Sequence, residues 1–267
     1  MAGLRFTLTN DLHLDLGHLW NETLPGFLDR LERERSLRLI LAGDLVSFAE
    51  NRLDAAFRAL APYGGQILYI PGNHELWTED GDSGRIYEET IPALCRRHGV
   101  HLLDEAPWVE GRVAVVGNVG WYDYSFQDGQ AGFPQEWYED KRIPGQFEWM
   151  DRRYIRWSWT DAGFTGACCR RLEAQLSGLP GTVETVLAVT HHLPFPELLV
   201  RKSDPQWSFG NAFMGSGRIG EVLRRFPRVK RLYCGHSHAA ARAEVGGIRA
   251  TSLGGNYRAK VLETIEV

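Results

Sequence analysis

The chain has 267 residues, 43% of them hydrophobic and 24% charged, which is enough apolar content for a sizeable core and too much for a disordered polymer. Thirty lysines and arginines against 34 acidic residues leave a net charge of −4, so charge alone cannot hold a nucleic acid or an anionic membrane. No stretch approaches about 18 consecutive apolar residues, the opening MAGLRFTLTNDLHLD lacks the charged-then-apolar pattern of a secretory signal, and the four cysteines show no C-x-x-C spacing, which together predict a cytoplasmic protein with reduced thiols.

In chain order, short aliphatic runs each end in a turn: LRFTLTND (4–11), LRLILAGD (37–44), QILYIPGN (66–73), RVAVVGN (112–118), TVLAVTHH (185–192) and VKRLYCGH (229–236). These are the marks of buried strands entering polar loops. Helical spacing lies between them, at Leu24, Phe27, Leu28 and Leu31, at Leu53, Ala56, Phe57 and Leu60, and at Ile219, Val222, Leu223 and Phe226. Asn21, Asp161 and Ser216 stand where N-caps are expected, the second opening a helix through Phe164, Cys168, Leu172 and Leu176, and Pro227 stops the helix before it. The layout is therefore α/β. At the C-terminus, AEVGGIRATSLGG and AKVLETIEV read as strands without helices between them, so mixed sheets are expected.

Residues 120–160 interrupt the alternation with an aromatic run from Trp121 and Tyr122 to Trp157 and Trp159, interleaved with Lys141, Arg142, Arg152, Arg153 and Arg156. Two readings stand. Core packing is the usual fate of such rings, whereas a lid or substrate wall would let the arginines meet phosphate while Trp149 or Tyr154 stacks on a base or sugar. No repeat or linker is visible, so residues 1–267 are expected to form one domain carrying this insertion.

Nearly every predicted strand ends in residues able to hold a metal: Asp11 and His13, then Asp44, then Asn73 and His74, then His191 and His192, then His236 and His238. Side chains remote in sequence converge at the carboxyl ends of strands in open α/β sheets. Oxygen and imidazole donors without thiolate suit Mn, Fe, Zn, Co or Ni. Each fragment alone has a bland explanation as a turn, a cap or a solvated loop, but five such accidents in order are improbable. His18, His98 and His101 fall outside the pattern and read as surface or structural histidines.

In this order, Asp11-Leu12-His13, Gly43-Asp44, Gly72-Asn73-His74-Glu75, His191 and Gly235-His236-Ser237-His238 resemble the calcineurin-like metallophosphoesterases, over most of the chain. The resemblance implies a four-layer αββα sandwich with two mixed sheets and a dinuclear metal site at the carboxyl ends of the strands. It implies one ion on Asp11, His13, Asp44 and His238, a second on Asp44, Asn73, His191 and His236, and Asp44 as the bridge, with a metal-bound hydroxide attacking phosphorus. His74 is then free to protonate the leaving group, with Glu75 either holding the His74 tautomer or solvated at a helix start. The threonine before it favours His191 as the ligand, although the position two residues before a proline would favour His192. Gly43-Asp44-Leu45-Val46-Ser47 lacks the G-D-x-x-D-R-G continuation of the protein serine/threonine phosphatases. The expected activity is hydrolysis of a small phosphomonoester or phosphodiester, a nucleotide among them. The alternatives are a nuclease and a non-catalytic scaffold of the same fold; no membrane partner is expected, nucleic acid is not favoured, and the sequence carries no signal for oligomeric state.

Overall fold

The computed structural model describes residues 3–129 and 131–267. Thirteen strands are present among them: β1 (Arg5–Thr9), β2 (Arg38–Ala42), β3 (Gln66–Ile70), β4 (His101–Leu102), β5 (Trp108–Glu110), β6 (Val113–Asn118), β7 (Arg142–Ile143), β8 (Phe147–Glu148), β9 (Thr185–Thr190), β10 (Val229–Cys234), β11 (Ala241–Val245), β12 (Ile248–Ser252) and β13 (Glu263–Glu266). They form one sheet ordered β13-β1-β2-β3-β4, a second ordered β11-β12-β10-β9-β6-β5, and a small β7-β8 ribbon. β1 to β4 run parallel and β13 antiparallel to β1. In the second sheet β12, β10, β9 and β6 are parallel, flanked by antiparallel β11 and β5. Both large sheets are thus mixed, as the C-terminal pattern predicted.

The two sheets face each other through Phe6, Leu8, Ile40, Leu68 and Ile70 on one side and Val113, Val115, Leu187, Val189 and Tyr233 on the other. Their outer faces are covered by helices: Leu24–Arg33, Ala49–Leu60 and Ile91–His98 on the first sheet, Asp161–Ser177 and Gly217–Arg224 on the second. Strands buried on both faces cannot alternate apolar with polar, which is why they read as continuous aliphatic runs. The result is the four-layer αββα sandwich.

Local details correct the sequence reading. Thr23, not Asn21, caps Leu24–Arg33, its Oγ1 accepting from the Gly26 N–H at 3.2 Å. Thr160, not Asp161, caps Asp161–Ser177 through the Gly163 N–H at 3.1 Å. Asp161 is instead buried, accepting from Trp121 Nε1 at 2.8 Å and from the Tyr124 hydroxyl, with Lys141 Nζ at 2.6 Å. Ser216 does cap its helix. The helical run from Ser83 to His98 has no clean periodicity in sequence; Pro92 supplies no N–H to the turn before it, and Ile86–Thr90 is wound as a π-helix there.

All the strands that end in candidate ligands deliver their carboxyl ends to one edge, where the loops are stitched together. Asp11 and His13 donate their N–H groups to the Gly43 and Asp44 carbonyls at 3.0 and 2.9 Å, and Gly235 N–H reaches the His191 carbonyl at 3.1 Å. His191 Nδ1 lies 3.0 Å from the Ala42 carbonyl and His236 N–H 3.2 Å from the Asp11 carboxylate, so loops of the two sheets also hold each other.

Candidate metal centre

The backbone aims these side chains. Asp11, His13, Asp44, His236 and His238 all have positive φ, between 44° and 67°, a region few residues other than glycine enter and where strain tends to be kept for function. The motif glycines make room for the result. Gly43 has φ 84°, and a Cβ there would lie 2.3 Å from His191 Nδ1; a Cβ on Gly72 would lie 2.1 Å from Asp44 Oδ1. A side chain at either position would displace a candidate ligand.

Two groups of ligand atoms result, Asp11 with His13, Asp44 and His238, and Asp44 with His191 and His236, the atoms in each within 4.8 Å of one another. Asp44 belongs to both. Its Oδ2 is 3.4 Å from His191 Nε2 and 3.8 Å from His13 Nε2. Asn73 Oδ1 joins the second group, 3.2 Å from His191 Nε2, which in turn is 3.1 Å from His236 Nδ1. Both ring nitrogens of His13 are buried without a hydrogen-bond partner. Burial pulls that imidazole down to about 2 against the attraction of Asp44, which keeps it neutral with a lone pair free. Burial also works against charging His191, but the Asp44 carboxylate outweighs it and lifts the imidazole to about 9. Buried carboxylates and imidazoles facing one another are a donor set that could hold a pair of divalent cations.

His192 is held differently. Its Nδ1 lies 3.1 Å from the Val119 carbonyl, and its ring packs on Trp121 at 4.9 Å. Of the two, His191 is the one whose Nε2 lies beside Asp44 Oδ2 and Asn73 Oδ1, while the His192 ring packs 4.2 Å from that of His236.

His74 sits at the mouth, Nε2 3.9 Å from Asp44 Oδ2 and its ring stacked on Trp77 at 3.7 Å. Its Nδ1 meets Ser47 Oγ at 3.1 Å. Glu75 does neither job expected of it. Fully buried, it accepts backbone N–H groups from Gly72, Asp44, Leu45 and Val46 at 2.6, 3.0, 2.5 and 3.0 Å. It clamps the Asp44 loop, and Ser47 takes the place at the His74 ring. Adjacency in sequence misled here because the short helical turn from His74 to Leu76 sends neighbouring side chains in different directions.

The aromatic segment divides in two. Trp121 and Tyr122 are fully buried core, while Phe147, Trp149 and Met150 line a cavity of about 540 Å³ that opens onto Asp44, Asn73, His74, His236 and His238. Arg142, Arg152 and Arg153 do not face it: they pair with Asp140 and Glu148, and neither they nor Arg156 line it. The opposite wall went unread in the sequence. It comes from Leu199, Val200, Trp207 and Met214, around a short helix, Pro205–Asn211, that Asp204 caps. The legible trace was Asp204-Pro205, a cap followed by a first-turn proline.

Residues 4–240 match the family model described as calcineurin-like phosphoesterase. The chain belongs to that family. That is a family of metallophosphoesterases whose centre is a pair of divalent cations. Among curated proteins, the [acyl-carrier-protein] phosphodiesterase PptH of Mycobacterium tuberculosis is 33% identical over 129 residues, a stretch spanning 44% of this chain and only 37% of that protein. The crystal structure of PptH, called a phosphopantetheinyl hydrolase, superimposes with a TM-score of 0.72 at 20% identity over 95% of this chain and 89% of that one. A dimetal phosphatase from Danio rerio gives 0.58 at 16% identity over 98% and 92%. At these identities the superpositions speak for the fold. No helix among the described residues is long and apolar enough to cross a membrane.

Proposed function

We propose that this chain hydrolyses a small phosphodiester at two divalent cations, one held by Asp11, His13, Asp44 and His238, the other by Asp44, Asn73, His191 and His236. The observation that carries the preference for a diester is the cavity beside the cluster. Its described lining has tryptophan, methionine and aliphatic walls, the acids Glu148 and Asp204, and neither lysine nor arginine. A diester brings a second, carbon-based substituent that needs apolar space. A polyanion such as DNA or RNA finds no lysine or arginine among the described lining residues, which disfavours a nuclease. PptH, similar in sequence over part of the chain, is named an [acyl-carrier-protein] phosphodiesterase, which is in keeping with a diester here.

When bound, the cations, from the set Mn, Fe, Zn, Co and Ni, supply Lewis acidity to the phosphoryl oxygens and an activated water. The protein's own part is to place charge and one proton. Asp44, which belongs to both groups, would place a negative charge between two cations held there. To act as an acid His74 carries both ring protons: Nδ1–H donates to Ser47 Oγ, 3.1 Å away, and the second proton sits on Nε2, on the Asp44 side of the ring. From there His74 passes it to the leaving oxygen. Stacking on Trp77 holds the ring at that angle. The chain works as one unit from residue 1 to 267, with 120–160 part core and part wall. Its four buried, unpaired thiols suit the cytoplasm.

The test is hydrolysis of chromogenic phosphodiester and phosphomonoester substrates by metal-stripped protein reloaded with Mn, beside Asp44→Asn. The expected result is turnover of the diester with the higher kcat/KM and none by the variant. Preference for the monoester overturns the diester assignment; no turnover of either with the ions bound overturns the enzyme reading.

A further inference from the structure

The geometry points to Asp151 as a positioning residue that ties a side chain of the metal centre to the aromatic wall of the cavity; this rests on the dinuclear reading above. Asp151 is 1% exposed and its carboxylate is fully used. Oδ1 accepts from Asn73 Nδ2 at 2.8 Å and Trp77 Nε1 at 2.6 Å, while Oδ2 accepts from the Tyr122 hydroxyl and from Trp149 Nε1, both at 2.9 Å. A buried carboxylate is tolerated when every acceptor direction is met. Four donors from three segments meet it here.

The consequence lies in Asn73. An amide can turn either face to a neighbour, but an ionised carboxylate only accepts, so Asp151 demands the NH2. Asn73 Oδ1 is thereby turned toward His191 Nε2, 3.2 Å away, the orientation in which it offers an oxygen to a cation. The same carboxylate holds the Trp77 indole beneath His74 and the Trp149 indole against Phe213, whose centroid is 5.4 Å distant. Both indoles line the cavity. One side chain thus sets a metal-site amide, the platform under the proton donor and a stretch of substrate wall.

Three variants separate these duties. Asp151→Ala releases Asn73 and is expected to weaken one of the two ions about 10- to 100-fold, read by titrating metal-free protein with Mn alone. In the Asn73→Ala background the same change is expected to cost nothing further, because it acts through Asn73. Asp151→Asn keeps its oxygen on Asn73 and Trp77 and turns its NH2 to the Tyr122 hydroxyl, which can accept, leaving only the Trp149 indole without a partner. Both ions are then expected to be retained, with KM for the diester raised about 10-fold and kcat within about two-fold. Wild-type affinity for both ions in Asp151→Ala, or losses that add in the double variant, overturns the proposal. If Asp151→Ala does not fold, Asp151→Asn decides, since a fall in kcat at unchanged KM contradicts it. The metal titration needs no turnover, so an inactive enzyme would sink the phosphodiesterase reading and leave this readout standing.

Discussion

At the strand ends, side chains are aimed by the backbone. Asp11, His13, Asp44, His236 and His238 sit at left-handed dihedrals, and Gly43 and Gly72 leave no space for a Cβ beside His191 and Asp44. In the wall, side chains are aimed by one another: Trp149 by Asp151 and Phe213, Trp77 by Asp151 and His74, and Trp207 by its indole N–H on the Val200 carbonyl at 2.6 Å. The first kind of site is specified within a few residues of each strand. The second exists only once three distant segments have met, so the strand-end loops should tolerate almost no local change and the wall should trade one ring for another at moderate cost.

The sharpest break on the strand-end side is Asp44→Asn, which removes the charge shared by both groups; turnover is expected to fall more than about 1,000-fold together with bound metal, checked by elemental analysis. Gly72→Ala changes no functional group, yet its Cβ must push Asp44 aside, so metal affinity and activity are expected to fall with the overall fold retained by circular dichroism. His74→Ala is expected to keep both ions and lose about 100- to 10,000-fold in kcat; loss of metal would move His74 into the ligand set. In the wall, Trp207→Ala is expected to raise KM for a bulky diester about 10-fold with kcat and metal content unchanged. The smallest effect belongs to Arg153→Gln, whose own side chain is exposed and whose partner Glu148 keeps a second arginine, Arg152. Stability is expected within about 0.5 kcal/mol of the wild type and KM unchanged, and a large rise in KM would return that arginine to the phosphate.

The same division explains what could be read in advance. Six strand runs, and the candidate ligands that the structure brings together at the ends of five of them, were legible because a buried parallel strand is a run of aliphatic residues and its loop carries glycine, aspartate or histidine within a few positions. Choosing between His191 and His192 needed the fold, since the two rings leave one strand end in different directions. Glu75 was misassigned for the same reason. Asp151 was invisible: in sequence it is one acid in an arginine-rich stretch, and its four partners lie at positions 73, 77, 122 and 149. The wall segment 199–214 carried only a helix cap, because apolar side chains on a loop show no period.

The central claim is that the strand ends hold two divalent cations sharing Asp44. Its most direct test is the metal stoichiometry of the metal-stripped wild type titrated with Mn, set against Asp44→Asn. Two ions per wild-type chain and one or none in the variant are the predicted result. A wild type that saturates with a single ion, or a variant that still binds both, would contradict it.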